Sequence, residues 1–144
     1  NYIVVYAYSE RINKIEAEAI QAFAHSKGKK TLSIGVKQSF TDLYVNVDPF
    51  TLLAYIKNAD YVITDTFHGT VFSIKYQIPF ATLIRPSNIE KLSDLLEKFG
   101  LSSRTVNDAN NIKDVCTEEI DKLNILKLLK TYRESAITYL KDNL

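Results

Sequence analysis

Short, continuously apolar runs alternate along this chain with stretches whose apolar residues return at helical spacing, and that alternation narrows the possible folds more than any other feature. The run YIVVYAY at residues 2–8 is rich in aromatic and β-branched side chains, short for a helix and too apolar for a strand with one wet face. It reads as a strand covered on both faces. Ile12, Ile15, Ala19, Ala22 and Phe23 follow at helical intervals until Gly28, flanked by lysines, stops the helix. His25, in that last turn, reads as a surface residue.

KKTLSIGV forms a second strand, and a brief third is expected from Leu43 to Val45. Asp48 before Pro49 signals a helix start, with an acceptor at the cap and a residue lacking N–H at the first helical position. Phe50, Leu52, Leu53 and Ile56 are expected to form its buried stripe. DYVIT is the next strand, HGTVFSIKYQ a largely apolar helix and PFATLI another strand. Ile89, Leu92, Leu95, Leu96 and Phe99 outline a helix ending at Gly100, SSRTV a short edge strand, and a long terminal helix is expected from about Thr117, with Glu118 and Glu119 in its first turn. Strands alternating with helices imply parallel pairing through right-handed crossovers. The expected fold is a single α/β domain over residues 1–144, with a Rossmann-like open, mainly parallel sheet, helices on both faces and a long C-terminal helix.

Charge and cysteine content narrow the function classes. With 18 Lys plus Arg against 17 Asp plus Glu, the net charge of +1 supplies no field to draw in nucleic acid, and no nucleic-acid partner is expected. A single cysteine, Cys116, precludes an intrachain disulfide and suits a reducing cytoplasm. No apolar run approaches the roughly 20 residues of a bilayer-spanning helix, so membrane association is expected only at the inner face, through a substrate. The chain enters a buried-type strand at its second residue, which suggests a fragment of something longer.

The chemistry concentrates in ADYVITDTFHGT, residues 59–70. In a parallel sheet ligands bind beyond the carboxyl ends of the strands, where the chain turns into the next helix, and this segment is such a turn. A helix starting near His68 or Gly69 would aim free N–H groups and a positive dipole end into the crevice, a setting for phosphate or carboxylate. Gly69 would allow close backbone approach, Thr66 and Thr70 offer hydroxyls, and His68 an imidazole that can take or give a proton. The plainer alternative is that Asp65 or Thr66 merely caps the helix and His68 is an ordinary polar residue of its first turn. No glycine-rich dinucleotide or P-loop fingerprint can be assembled from four glycines, and no serine occupies a G-x-S-x-G elbow. No cofactor and no metal is expected.

The stretch DPFTLLAYIKNADYVITDTFHGTVFSIKYQIPFATLIRPSNIEKLSDLLEKFGL resembles the C-terminal half of the polysaccharide pyruvyl transferase family, in which a strand of the AD-x-V-I-T kind leads into S-F-H-G or R-L-H-G. The resemblance continues through PF and a strand, a polar loop, L-x-x-L-L-x-x-x-G-L, and a last helix carrying Arg133 and Ser135. It extends over residues 44–144, and over the first 43 in pattern only. It implies the second Rossmann-like half of a glycosyltransferase-B-type protein, with an N-terminal domain forming the other wall of the cleft. The implied reaction moves a pyruvyl group from phosphoenolpyruvate onto a sugar of a bacterial surface polysaccharide, whose acceptor can be lipid-linked. It makes His68 the acid/base or phosphate-binding residue.

The sequence departs from the family pattern at Thr66, where many members carry arginine. Arg85, at the end of the next strand, is the candidate to compensate. Asp65 is expected to orient His68, hold a sugar hydroxyl or cap the helix. Ser87 and Asn88 are expected to bind substrate or cap the helix near Ile89, and Tyr8 and Ser9 also face the crevice. Two alternatives stand beside phosphoenolpyruvate transfer: a glycosyltransferase-like domain binding a nucleotide sugar, and a non-catalytic domain that retains the fold.

Overall fold

A computed structural model describes residues 1–143. Six strands, β1 (Tyr2–Tyr6), β2 (Lys30–Ile34), β3 (Leu43–Val45), β4 (Tyr61–Thr64), β5 (Phe80–Leu83) and β6 (Thr105–Val106), form one open sheet in the order β3-β2-β1-β4-β5-β6. Every pairing is parallel. The order reverses between β1 and β4, where Val4 stands opposite Val62 and Tyr6 opposite Thr64. Successive crossovers leave that boundary in opposite directions, so the carboxyl ends of these two strands open a crevice between diverging loops.

The helices are α1 (Lys14–Ser26), α2 (Pro49–Lys57), α3 (Phe67–Lys75), α4 (Ile89–Lys98), α5 (Ile112–Thr117) and α6 (Lys122–Asn143). Alternation along the strands divides the interior in two. Ile3, Val5, Ile63, Ala81 and Leu83 pack with Ile20 and Phe23 of α1 and with Ile112 and Cys116 of α5. On the opposite face Val4, Leu32, Val62 and Phe80 meet Ile56 of α2, Ile74 of α3, Leu96 of α4 and Ile125 of α6. Both faces of the sheet are thus dry, which is why its strands read as unbroken apolar runs. No helix among the described residues is long and apolar enough to cross a membrane.

Local signals explain most boundaries. Asn13 and Glu16 form a capping box at the start of α1, and Asp48 accepts the Thr51 amide ahead of Pro49 in α2. Gly28 and Gly100 adopt φ of +63° and +66° just past α1 and α4, a left-handed conformation that only glycine enters freely.

Three expectations are corrected. Phe50 is 84% exposed, not part of a buried stripe. It lies six residues before buried Ile56, which at about 100° per residue turns it roughly 120° off the inward face. Ile89, expected in the α4 stripe, is also exposed. The terminal helix does not begin near Thr117: that residue ends α5, Glu118 and Glu119 lie between the helices, and α6 starts at Lys122 behind Asp121, whose side chain accepts the Asn124 amide. The inward face of α6 carries Ile125, Leu128 and Leu129, whereas Leu123, Leu126, Ile137 and Leu140 are exposed.

Candidate active-site crevice

The strand β4 ends at Thr64, and α3 starts at Phe67 with Thr66 as its cap. The Thr64 hydroxyl donates to the Tyr6 carbonyl at 2.6 Å, locking the two central strands together at their carboxyl ends. Its one hydrogen being used, Thr64 Oγ1 accepts the Thr66 amide, and the 3.0 Å contact between the two hydroxyls must run from Thr66 to Thr64. Thr66 Oγ1 in turn accepts the Gly69 amide at 2.8 Å. Capping therefore falls to Thr66, not Asp65, and the Thr66 hydroxyl is taken up within the fold.

Packing alone already requires glycine at position 69. A Cβ there would stand 2.8 Å from Thr66 Oγ1 and 2.9 Å from Thr64 Cβ, with Thr64 Oγ1 closer still. Thr70 is fully buried and faces away from the crevice: its hydroxyl donates to the Thr66 carbonyl and lies 3.1 Å from the Thr82 hydroxyl on β5. The amides of Phe67 and His68 make no hydrogen bond among the described residues. They are the open donors of the α3 N-terminus.

The His68 side chain is exposed beside those amides, not packed into the core. Its ring lies 6.1 Å from Phe67 and 6.2 Å from Phe72. With Tyr8, Gly35 and Thr66 it borders a cleft of about 130 Å³ between the ends of β1 and β2. Pockets that enclose small molecules are typically several hundred Å³, so this cleft does not enclose one by itself.

Asp65 is completely buried, yet it neither caps α3 nor hydrogen-bonds His68. Its Oδ1 accepts the Tyr8 amide at 3.1 Å, which pins the loop after β1, and its Oδ2 lies 3.5 Å from Arg85 Nε. Burial pushes the Asp65 carboxyl above its ordinary range, against the opposing pull of the Tyr8 amide and Arg85. Oδ2 and Nε face one another without a hydrogen bond.

Arg85 reaches this wall but is held by Glu16, whose two oxygens accept Nη1 and Nη2 at 2.6 and 2.9 Å. These hydrogen bonds raise the guanidinium above its ordinary value. Asn88 accepts the Arg85 amide and donates to the Asp65 carbonyl at 2.7 Å, and it makes no side-chain cap to α4. Ser87 accepts from Arg11 at 3.0 Å. Of the residues singled out in the sequence, His68 faces the opening, Asp65, Arg85 and Asn88 form the bracing behind it, Ser87 lies on the rim, and Thr66, Gly69 and Thr70 secure the turn.

Sequence reading missed Glu16, Arg11 and Gln38. Glu16 was legible only as a capping-box partner three residues after Asn13; nothing in spacing pairs it with Arg85, 69 positions away. Gln38 is buried and donates to the Ala7 and Tyr8 carbonyls, a loop-to-loop contact with no local signature.

A larger hollow of about 460 Å³ lies at the opposite end of the sheet, beside His25, Lys29, Lys30 and Asp42. It faces the C-terminus of α1, where carbonyls project and the helix dipole repels anions. Lys29 is already paired with Asp60 at 3.0 Å. Size alone does not make it the better site.

Residues 1–88 match the polysaccharide pyruvyl transferase family. The matched span takes in the first 43 residues, which showed the resemblance only in pattern, and ends in the loop after β5. No curated protein matches the chain. Among solved structures the fold is similar to that of the glycosyltransferase SnogD from Streptomyces nogalater, with a TM-score of 0.55 at 12% identity. That similarity covers 89% of this chain and 37% of SnogD, so the chain spans little more than a third of that protein.

Proposed function

The chain belongs to the polysaccharide pyruvyl transferase family, and on that premise we propose that it forms the donor-side wall of a transferase that modifies a polysaccharide. The carrying observation is the exposed His68 imidazole beside the unbonded amides of Phe67 and His68, at the point where the strand order reverses. Amides and dipole suit an anionic donor, and the imidazole suits proton transfer.

With phosphoenolpyruvate as donor, protonation of its methylene carbon leaves C2 electron-poor. One sugar hydroxyl adds there and releases its proton; a second displaces phosphate with loss of its own, closing the pyruvate ketal. His68 carries protons in these steps while Asp65, Arg85 and Asn88 hold the wall rigid. The acceptor, a bacterial surface saccharide that can be lipid-linked, occupies the open side. The small cleft and the partial coverage of SnogD support an opposing wall from a further, N-terminal domain, which makes residues 1–144 the C-terminal half of the enzyme. A nucleotide-sugar donor is the second reading, supported by the glycosyltransferase-like fold.

Titration with phosphoenolpyruvate and with nucleoside diphosphates separates the two. We expect phosphoenolpyruvate to bind and His68→Ala to weaken it about tenfold, as loss of one charge-adjacent contact does. Preference for a nucleoside diphosphate selects the second reading, and binding of neither class by the folded chain supports a scaffold without chemistry.

A further inference from the structure

Two arginines approach the crevice, and they are in different states. Arg85 is neutralised by a bidentate carboxylate. Arg11, in the loop between β1 and α1, makes one hydrogen bond, to Ser87 Oγ, and no salt bridge among the described residues. Its guanidinium lies over the Tyr8 ring, 5.2 Å from the centroid. A guanidinium has five N–H donors in a planar fork, so four are uncommitted.

Position separates Arg11 from an ordinary solvated arginine. It joins the loop after β1 to the loop after β5, the strands on either side of β4. Ser87 precedes Asn88, which holds the Asp65 carbonyl next to the Thr66 cap, so Arg11 is tied by short links to the start of α3. Tyr8, its platform, is itself fixed through its amide by buried Asp65. Glu10, the residue before Arg11, adopts φ of +58°. That left-handed conformation is uncommon outside glycine, and such backbone persists where the surroundings impose it.

We propose that Arg11 is the anion anchor of this crevice, held on the Tyr8 ring and the Ser87 hydroxyl to receive a phosphate or carboxylate of the donor. A guanidinium fork recognises two oxygens of either group at once, and restraint at both ends lowers the entropy lost on binding. The inference deepens the donor-wall reading and rests on it.

The test is the affinity of the full chain for inorganic pyrophosphate, phosphoenolpyruvate and UDP, in wild type and in Arg11→Gln, Arg11→Lys, His68→Ala and Lys130→Gln. Arg11→Gln should keep the wild-type Tm, because the side chain is exposed, and weaken the bound anion about tenfold or more. Arg11→Lys should recover only part, keeping the charge but not the fork. Lys130→Gln, on α6, should change nothing. The probe that binds best, phosphoenolpyruvate or UDP, identifies the source of the anionic group. Unchanged affinity in Arg11→Gln beside a weakened His68→Ala overturns the anchor and leaves the crevice reading intact. An equal loss in Lys130→Gln also overturns it, by showing an effect of net charge alone. The opposite split, with Arg11→Gln weak and His68→Ala unchanged, upholds the anchor and removes His68 from the donor site. A folded wild type that binds none of the three overturns both.

Discussion

At Gly69 the space a methyl group would need is filled by the strand just left. Gly69→Ala must displace Thr64 or Thr66, and overpacking of this kind costs about 1–3 kcal/mol. Urea unfolding of Gly69→Ala with and without Thr64→Ala checks the cause: the double variant should show a smaller loss than the two single losses summed, and strict additivity would contradict the proposed clash. Asp65 makes a prediction in pH. Its folded carboxyl is raised above the ordinary value of 3.8, so the folded state binds its proton more tightly than the unfolded state does. Its contribution to stability is then fully present below that value and is lost as pH rises through the raised one. Asp42 and Asp48 behave oppositely, lowered by the Thr31 and Thr51 amides, so their contributions are lost as pH falls below the ordinary range. Subtracting the Asp65→Asn unfolding curve from wild type isolates the first effect. The difference should fall as pH rises above the ordinary carboxylate value, and an increase would contradict the assigned shift.

Among the elements, α5 depends on a residue that no pattern flagged. Arg104, 1% exposed and paired with no carboxylate among the described residues, donates to the Val115 and Glu118 carbonyls and lies over the Phe80 ring. It thereby satisfies the last carbonyls of α5 and the turn toward α6. Arg104→Ala should destabilise by about 2–4 kcal/mol, leaving a cavity and buried unpaired carbonyls; denaturant midpoints give the value, and a loss under 1 kcal/mol would contradict this role. In sequence SSRTV showed only a short strand, and the apolar spacing after Thr117 hid the break that Arg104 enforces. Elements with strong local signals were readable: Asp48–Pro49 for α2, Gly28 for the end of α1, Leu43–Val45 for β3. Those fixed by distant partners were not, as the rotation of Phe50 out of the core and the inward face of α6 show.

For the molecule as a whole, alternation of strands and helices was enough to foresee a doubly covered parallel sheet, because each crossover must bury both faces. It also placed the DTFHGT turn at the carboxyl end of a central strand, since dry faces require that strand to lie inside the sheet. The division of labour inside the turn was not legible: which hydroxyl caps, which faces β5 and which carboxylate holds Arg85 depend on chain segments dozens of residues apart. Anions are expected to enter at the β1–β4 boundary rather than at the larger hollow at the other end. Amide chemical-shift mapping of the full chain during titration with inorganic pyrophosphate tests that most directly. The largest shifts are predicted at Phe67 and His68, with smaller ones at Tyr8 and Arg11; largest shifts at His25, Lys29 and Lys30 instead would contradict the account.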